Sequence, residues 1–190
     1  MGYITGFGAP ERKFVALGDT AEAGLRVIGG TEIEGYASLF GRGDQGGDVV
    51  QAGAYAGSLV RLGAAGRRVK MLWQHDPTQP IGIWDEVRED GRGLWVKGRL
   101  LPEVARGREA AALLAAGAID GLSIGYRTVK SERDGKGQRL LTELELWEVS
   151  LVTFPMLAEA RVAAKGDHPD DTWRSLAQVF DEARRTLADR

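Results

Sequence analysis

The sequence predicts a mainly β domain with flanking helices, an α+β arrangement, and three observations carry that expectation. Glycine supplies 27 of the 190 residues, a density that calls for many tight turns and short connections. Most apolar runs are brief and bounded by Gly, Asp or Pro, as strands are. Helical spacing is sustained only in a few separate segments.

Residues 1–30 hold no sustained period and read as an N-terminal extension, with one strand expected near residues 14–17. A strand signal then runs over residues 31–40. Residues 41–53 are rich in Gly and Asp and are expected to be a loop. Residues 54–62 suit a short helix ended by Gly63 and Gly66. Strands follow at 69–73, 81–88 and 94–100, and Asp90-Gly91 between the last two is a hairpin signal. Pro102 opens the strongest helix, residues 103–116, with Val104, Ala111, Leu114 and Ala115 toward one side; Gly117 stops it. Strand character returns at 122–130 and, after Asp134-Gly135, at 139–154, where Pro155 ends it. Residues 166–171 are polar and linker-like. Residues 172–188 place Trp173, Leu176, Val179, Phe180, Ala183 and Leu187 at helical spacing. The chain therefore divides into an extension (1–30), a domain (31–165), and a linker with an amphipathic helix (166–190).

Composition narrows the function. The length suits one domain able to bury a real core, and 43% hydrophobic with 27% charged residues is ordinary for a globular protein. A net charge of −2 gives no footprint for nucleic acid, and Arg67-Arg68-Val69-Lys70 reads as a solvated strand entry. Cysteine is absent, which excludes disulfide scaffolds, thiolate nucleophiles and thiolate zinc sites and suits a reducing cytosol. No apolar run approaches a membrane span, and the N-terminus lacks the pattern of a signal peptide. A soluble cytoplasmic protein is expected, without nucleic-acid or membrane partners. With two histidines far apart, neither a metal nor a cofactor is expected. Gly41-Arg42-Gly43-Asp44-Gln45-Gly46 matches a dinucleotide fingerprint, but Asp44 and Asp48 would repel a pyrophosphate, and no acidic residue ends a second strand further on. Trp73, Trp84, Trp95 and Trp147 fall on expected strands, which suits core packing better than base stacking.

Three residue types then stand out in chain order: His75 in Leu72-Trp73-Gln74-His75-Asp76-Pro77, Ser123 in Gly121-Leu122-Ser123-Ile124-Gly125-Tyr126, and Glu148 in Leu146-Trp147-Glu148-Val149-Ser150. A base, a hydroxyl nucleophile and an acid are the parts of a serine hydrolase. Gly-x-Ser-x-Gly also matches the nucleophile elbow of α/β-hydrolases. That elbow needs a strand before the serine, a helix after it, and its histidine last. Here a helix precedes Ser123, and the only later histidine is His168 in the polar linker. The glycines flanking Ser123 would let another backbone approach, as a peptide substrate must. His75 is expected at the exposed end of a strand, near an edge. Glu148 shares its strand face with Leu144, Leu146, Ser150, Val152 and Phe154, a mostly apolar face where an ionised carboxylate needs a partner. An imidazolium on His75 would be one such partner; a solvated groove or an arginine would be another. Glu143 and Glu145 have the opposite parity and are expected to be exposed.

The same residues carry a resemblance. Residues 69–76 (VKMLWQHD), Pro80-Ile81-Gly82, residues 93–100 (GLWVKGRL), 121–126 (GLSIGY) and 148–152 (EVSLV) resemble the tailed-phage prohead (head maturation) serine proteases. So do the upstream residues 35–40 (GYASLF), Asp48 and Gly53-Ala54-Tyr55, and the likeness covers about residues 31–163. It implies a β-barrel similar to the herpesvirus maturational proteases. It also implies a serine endopeptidase that removes the scaffold segment of the major capsid protein, and cuts itself, inside the assembling procapsid in the bacterial host cytoplasm. A homo-oligomer is expected. The resemblance makes Ser123 the nucleophile, His75 the general base and Glu148 the third member. The herpesvirus enzymes use a second histidine as third member, and the spare His168 lies outside the matched region. Two rival readings remain: a non-catalytic capsid assembly or scaffold module with the same barrel, and a small esterase.

Overall fold

The computed structural model describes residues 11–12, 26–44 and 46–154. The strand expected near 14–17, the linker, His168 and the helix at 172–188 lie outside them. In chain order the elements are β1 (Glu11–Arg12), β2 (Arg26–Ile28), β3 (Glu32–Leu39), β4 (Asp48–Val50), α1 (Ala56–Ala64), β5 (Lys70–Trp73), β6 (Asp76–Glu89), β7 (Gly93–Leu100), α2 (Ala105–Ala115), β8 (Gly121–Arg133) and β9 (Arg139–Val152). The mainly β architecture, with two helices among the described residues, is as the sequence predicts.

Among the described residues, nine strands join one sheet in the order β1-β8-β9-β5-β6-β7-β3-β2, with β4 on β9. The sheet curls into a half-barrel, so that β3 comes against β8 although they share no ladder. Its concave side holds the core, including Ile33, Trp84, Leu94, Val96, Leu122, Leu144 and Leu146. The Trp84 indole donates to the Val149 carbonyl at 3.1 Å, so this buried ring keeps its polar atom satisfied. Asp90 organises the expected turn between β6 and β7. Its carboxylate accepts the backbone N–H groups of Arg92 and Gly93, the Tyr36 hydroxyl at 2.6 Å and the Arg88 guanidinium.

One edge of β9 explains why the chain between β3 and β5 is built as it is. The segment read as a plain loop contains β4, which runs parallel to β9 from Asp48↔Arg139 to Val50↔Leu141. Val49 and Val50 are buried, and that burial outweighs the Gly- and Asp-rich surroundings. Further along the same edge, Leu144 N–H donates to the Ala54 carbonyl and Leu146 N–H to Ser58 Oγ. From Glu148 to Leu151 the partner is β5, also parallel. Hydrogen-bonding groups on a buried strand edge must find acceptors and donors, and here a short strand, a loop carbonyl, a helical serine and a second strand supply them in turn.

Both helices differ in detail from expectation. Helix α1 starts at Ala56 and includes Gly63, so only Gly66, with φ of 62°, lies beyond its end. Helix α2 buries Gly107, Ala110 and Leu114, whereas Val104 and Ala115 face solvent. The cause is Gly107: a Cβ there would stand 2.2 Å from the Leu101 carbonyl and 2.9 Å from that of Ile81. The bare glycine lets α2 settle on β6 and turns its contact face toward that position. Trp147 also departs from expectation, being 37% exposed, and so does the face of Glu148. One step on β8, Gly125 to Tyr126, lies opposite two on β9, Glu148 to Leu146. A bulge at Trp147 thus puts Leu144 and Leu146 on the core face with Val149 and Leu151 and leaves Glu148 and Ser150 on the other.

Candidate active site

Strands β8, β9 and β5 are consecutive in the sheet, so residues distant in sequence meet across adjacent ladders. Ser123 is the third residue of β8 and lies opposite Ser150 of β9, while Gly125 lies opposite Glu148. Cross-strand partners put their side chains on the same face. The hydroxyls of Ser123 and Ser150 and the Glu148 carboxylate therefore share one small region.

His75 reaches that region from a turn, not from a strand end. Trp73 pairs with Asp76, leaving Gln74 and His75 as a two-residue hairpin loop between β5 and β6. Both have positive φ, 52° and 62°, as a type I′ turn requires. Neither is the Asn or Gly that such a turn favours, and each left-handed non-glycine residue costs about 1–3 kcal/mol. Hydrogen bonds to β9 and just beyond hold the loop in place. Gln74 N–H donates to the Leu151 carbonyl at 2.9 Å, Gln74 Nε2 to Thr153 Oγ1 at 2.7 Å, and His75 N–H to Ser150 Oγ at 3.2 Å. On the outer side the Asp76 carboxylate accepts from Thr78 Oγ1, Thr78 N–H and Gln79 Nε2. These bonds, from Thr78 and Gln79 above all, hold the Asp76 carboxyl below its ordinary value. Gln79 in turn accepts from Arg106, whose guanidinium covers the Trp73 ring at 5.5 Å. The expected edge position of His75 is thus corrected: β5 has a neighbouring strand on each side, and the side chain of His75 is only 11% exposed.

The three predicted residues come together. His75 Nε2 stands 2.8 Å from Ser123 Oγ, and His75 Nδ1 stands 2.5 Å from Glu148 Oε1. Ser123 is 1% exposed and Glu148 8%. An ionised carboxylate can only accept, so Nδ1 carries the proton toward Glu148 and the Nε2 lone pair faces the serine hydroxyl. That arrangement can take a proton from Ser123 and stabilise the imidazolium that results. The solvated groove and the arginine partner considered for Glu148 give way to His75. Glu143 and Glu145 are half-exposed and pair with Arg61 and Arg127.

Two features escaped the sequence. Ser150 is fully buried and donates to Glu148 Oε2 at 2.5 Å; its place on the Glu148 face, two residues on, was the available signal. The other is Gly125, read as room for a substrate backbone. A Cβ at that position would lie 2.0 Å from Glu148 Oε1, so the missing side chain makes room for the carboxylate. Among the described residues no group of three His, Cys, Asp or Glu could hold a metal ion, and no helix is long and apolar enough to cross a membrane.

Comparison with known proteins shows the family of the chain. The family model described as caudovirus prohead serine protease matches residues 22–173. The chain is 33% identical over 135 residues to the prohead protease of Enterobacteria phage HK97, covering 70% of this chain and 59% of that protein. It is 32% identical over 104 residues to the capsid polyprotein of Pseudomonas phage PAJU2, covering 50% of this chain and 15% of the polyprotein. The chain thus spans less than two thirds of either relative. Among solved structures, the capsid assembly protease of bacteriophage T4 shares the fold, with a TM-score of 0.54 at 16% identity, covering 75% of this chain and 93% of that one.

Proposed function

We propose, for a chain that belongs to the caudovirus prohead serine protease family, that it is a serine endopeptidase of capsid maturation. The observation that carries this reading is the placement of one imidazole between a hydroxyl and a carboxylate, at 2.8 and 2.5 Å. Ser123 attacks the scissile carbonyl while His75 Nε2 takes its proton, and Glu148 balances the charge that forms on the ring. His75 then returns the proton to the leaving amine, and an acyl group remains on Ser123. In the second half, His75 deprotonates a water that attacks this ester, the acyl bond to Ser123 Oγ breaks as His75 gives that proton to the departing oxygen, and the acid product is released. None of these steps calls on a metal or cofactor.

The substrate follows from the company the chain keeps. Its relatives are named for proheads, capsid assembly and a capsid polyprotein. The substrate proposed here is the scaffold segment of the major capsid protein, together with the protease itself. Cleavage takes place inside the procapsid, in the cytoplasm of the bacterial host, with the protease as a homo-oligomer. Co-expression with the cognate capsid protein tests this. The capsid subunit should lose mass with the parent chain and keep full length with Ser123→Ala. Equal cleavage by the two would reject the reading. A non-catalytic assembly module would leave the subunit whole with either, and would leave Ser123 unlabelled by a fluorophosphonate.

A further inference from the structure

We propose that Ser150 is a positioning residue for this reaction, a single hydroxyl that fixes both ends of the His75–Glu148 contact. The proposal rests on the peptidase reading above and assigns a role that the three-residue site leaves open. Ser150 lies on β9 opposite Ser123 and in register with Leu72 of β5, and it is 0% exposed. Its oxygen accepts His75 N–H at 3.2 Å, and its proton goes to Glu148 Oε2 at 2.5 Å.

The directions of these bonds are forced. A carboxylate offers no proton and a backbone N–H offers no lone pair, so the hydroxyl proton has one destination and the oxygen one donor. Two consequences follow for the imidazole. With Oε2 occupied by Ser150, Oε1 is left for Nδ1, and the carboxylate cannot rotate without losing a bond at each oxygen. At the same time the N–H of His75 is tied down in a left-handed conformation that the residue would otherwise avoid. Ser150 therefore restrains the ring from its backbone and from its carboxylate partner together. A small side chain that only filled space would explain the burial, but not a hydroxyl bonded to two parts of one catalytic pair.

The test uses the full chain and the rate at which a fluorophosphonate labels Ser123, read by mass spectrometry. Loosening a reacting group by an ångström costs about 10²-fold, so Ser150→Ala should label roughly 10- to 100-fold more slowly at saturating probe, with the half-saturating concentration unchanged. Thr and Val have the same shape and differ in one hydroxyl, so Ser150→Thr should outpace Ser150→Val. Introduced into Glu148→Gln, Ser150→Ala should add little, because the two act through one contact. The far-downfield proton resonance of a short His75–Glu148 bond should weaken in Ser150→Ala. Parental labelling by Ser150→Ala would overturn the proposal, as would equal rates for Thr and Val, or full additivity with Glu148→Gln. If the parent itself is not labelled, the peptidase reading fails; the resonance then decides the role of Ser150, and an unchanged signal in Ser150→Ala overturns it.

Discussion

Substituting Gly125 with alanine isolates the Glu148 contact without touching any reacting atom. The φ of Gly125 is not positive, so the backbone accepts an alanine, and any effect must come from the added methyl. That methyl would stand 2.0 Å from Glu148 Oε1, 2.7 Å from Cδ and 2.9 Å from Cγ. Separations below 3.0 Å are essentially unknown for a Cβ, so the carboxylate must retreat by an ångström or so. The retreating oxygen is the one 2.5 Å from His75 Nδ1. Losing about 1 Å of alignment costs about 10²-fold, and disabling the third member of such a triad costs about 10⁴-fold. Gly125→Ala is therefore expected to label Ser123 about 10²- to 10⁴-fold more slowly. Capsid cleavage on co-expression should fall with it. Global stability should fall by only about 1–3 kcal/mol, the cost of an underbonded buried group. Glu148→Ala removes the obstacle, so Glu148→Ala and Gly125→Ala/Glu148→Ala should label at the same slow rate. Labelling of Gly125→Ala within threefold of the parent would refute the reasoning, and so would a further large loss in the double variant.

Other expectations use different measurements. Glu148→Gln should lower the labelling rate about 10⁴-fold while the thermal transition stays cooperative. Trp84→Ala should cost about 3–5 kcal/mol in denaturant unfolding, since the ring is 2% exposed and its N–H is bonded. Trp147→Ala, at a position 37% exposed, should stay within about 0.5 kcal/mol. For Asp90, burial opposes ionisation, but bonds from Tyr36, Arg92, Gly93 and Arg88 outweigh it and lower the carboxyl's pKa in the fold. A lowered folded value means stabilisation present above the unfolded carboxylate range and lost as pH falls through the folded one. The stability difference between the parent and Asp90→Asn should therefore hold from neutrality to about pH 5 and shrink below about pH 4; a difference that is constant down to pH 3 would contradict it.

Alternation was enough to read most of the sheet but not the parity of β9: it placed Glu148 and Ser150 on one face with Leu144 and Leu146, whereas the bulge at Trp147 turns Leu144 and Leu146 to the opposite face. For the same reason it did not show that Val149 and Leu151 are buried in the core beside them, because one extra residue reverses every side chain beyond it. Strand β4 was hidden for another reason: three residues cannot show a period, and its parallel partner lies some 90 positions away. The α2 face was misassigned because helix spacing alone does not say that a glycine can be the point of closest approach. At the site, residue type and order singled out His75, Ser123 and Glu148, but the local shape was not legible. Gln74-His75 lacks the Asn-Gly signature of a type I′ turn, and that mismatch between residue and conformation is what tertiary hydrogen bonds maintain here.

The left-handed turn also accounts for the way this site is assembled. A histidine inside β5 would point along the normal of the sheet, in step with Leu72 or Trp73, and could not reach sideways across β9 to β8. Ending β5 at Trp73 and reversing the chain in two residues moves the imidazole to the strand tip. From there one ring nitrogen meets Glu148 on the neighbouring strand and the other meets Ser123 one strand further. A longer, unstrained loop could span the same distance, but each added rotatable residue would widen the range of ring positions. The chain accepts two unfavourable φ angles and holds them with Leu151, Thr153 and Ser150, all on or just beyond the strand that carries Glu148. The strand that supplies the carboxylate thus also fixes the turn that supplies the base, and their separation is set within one ladder.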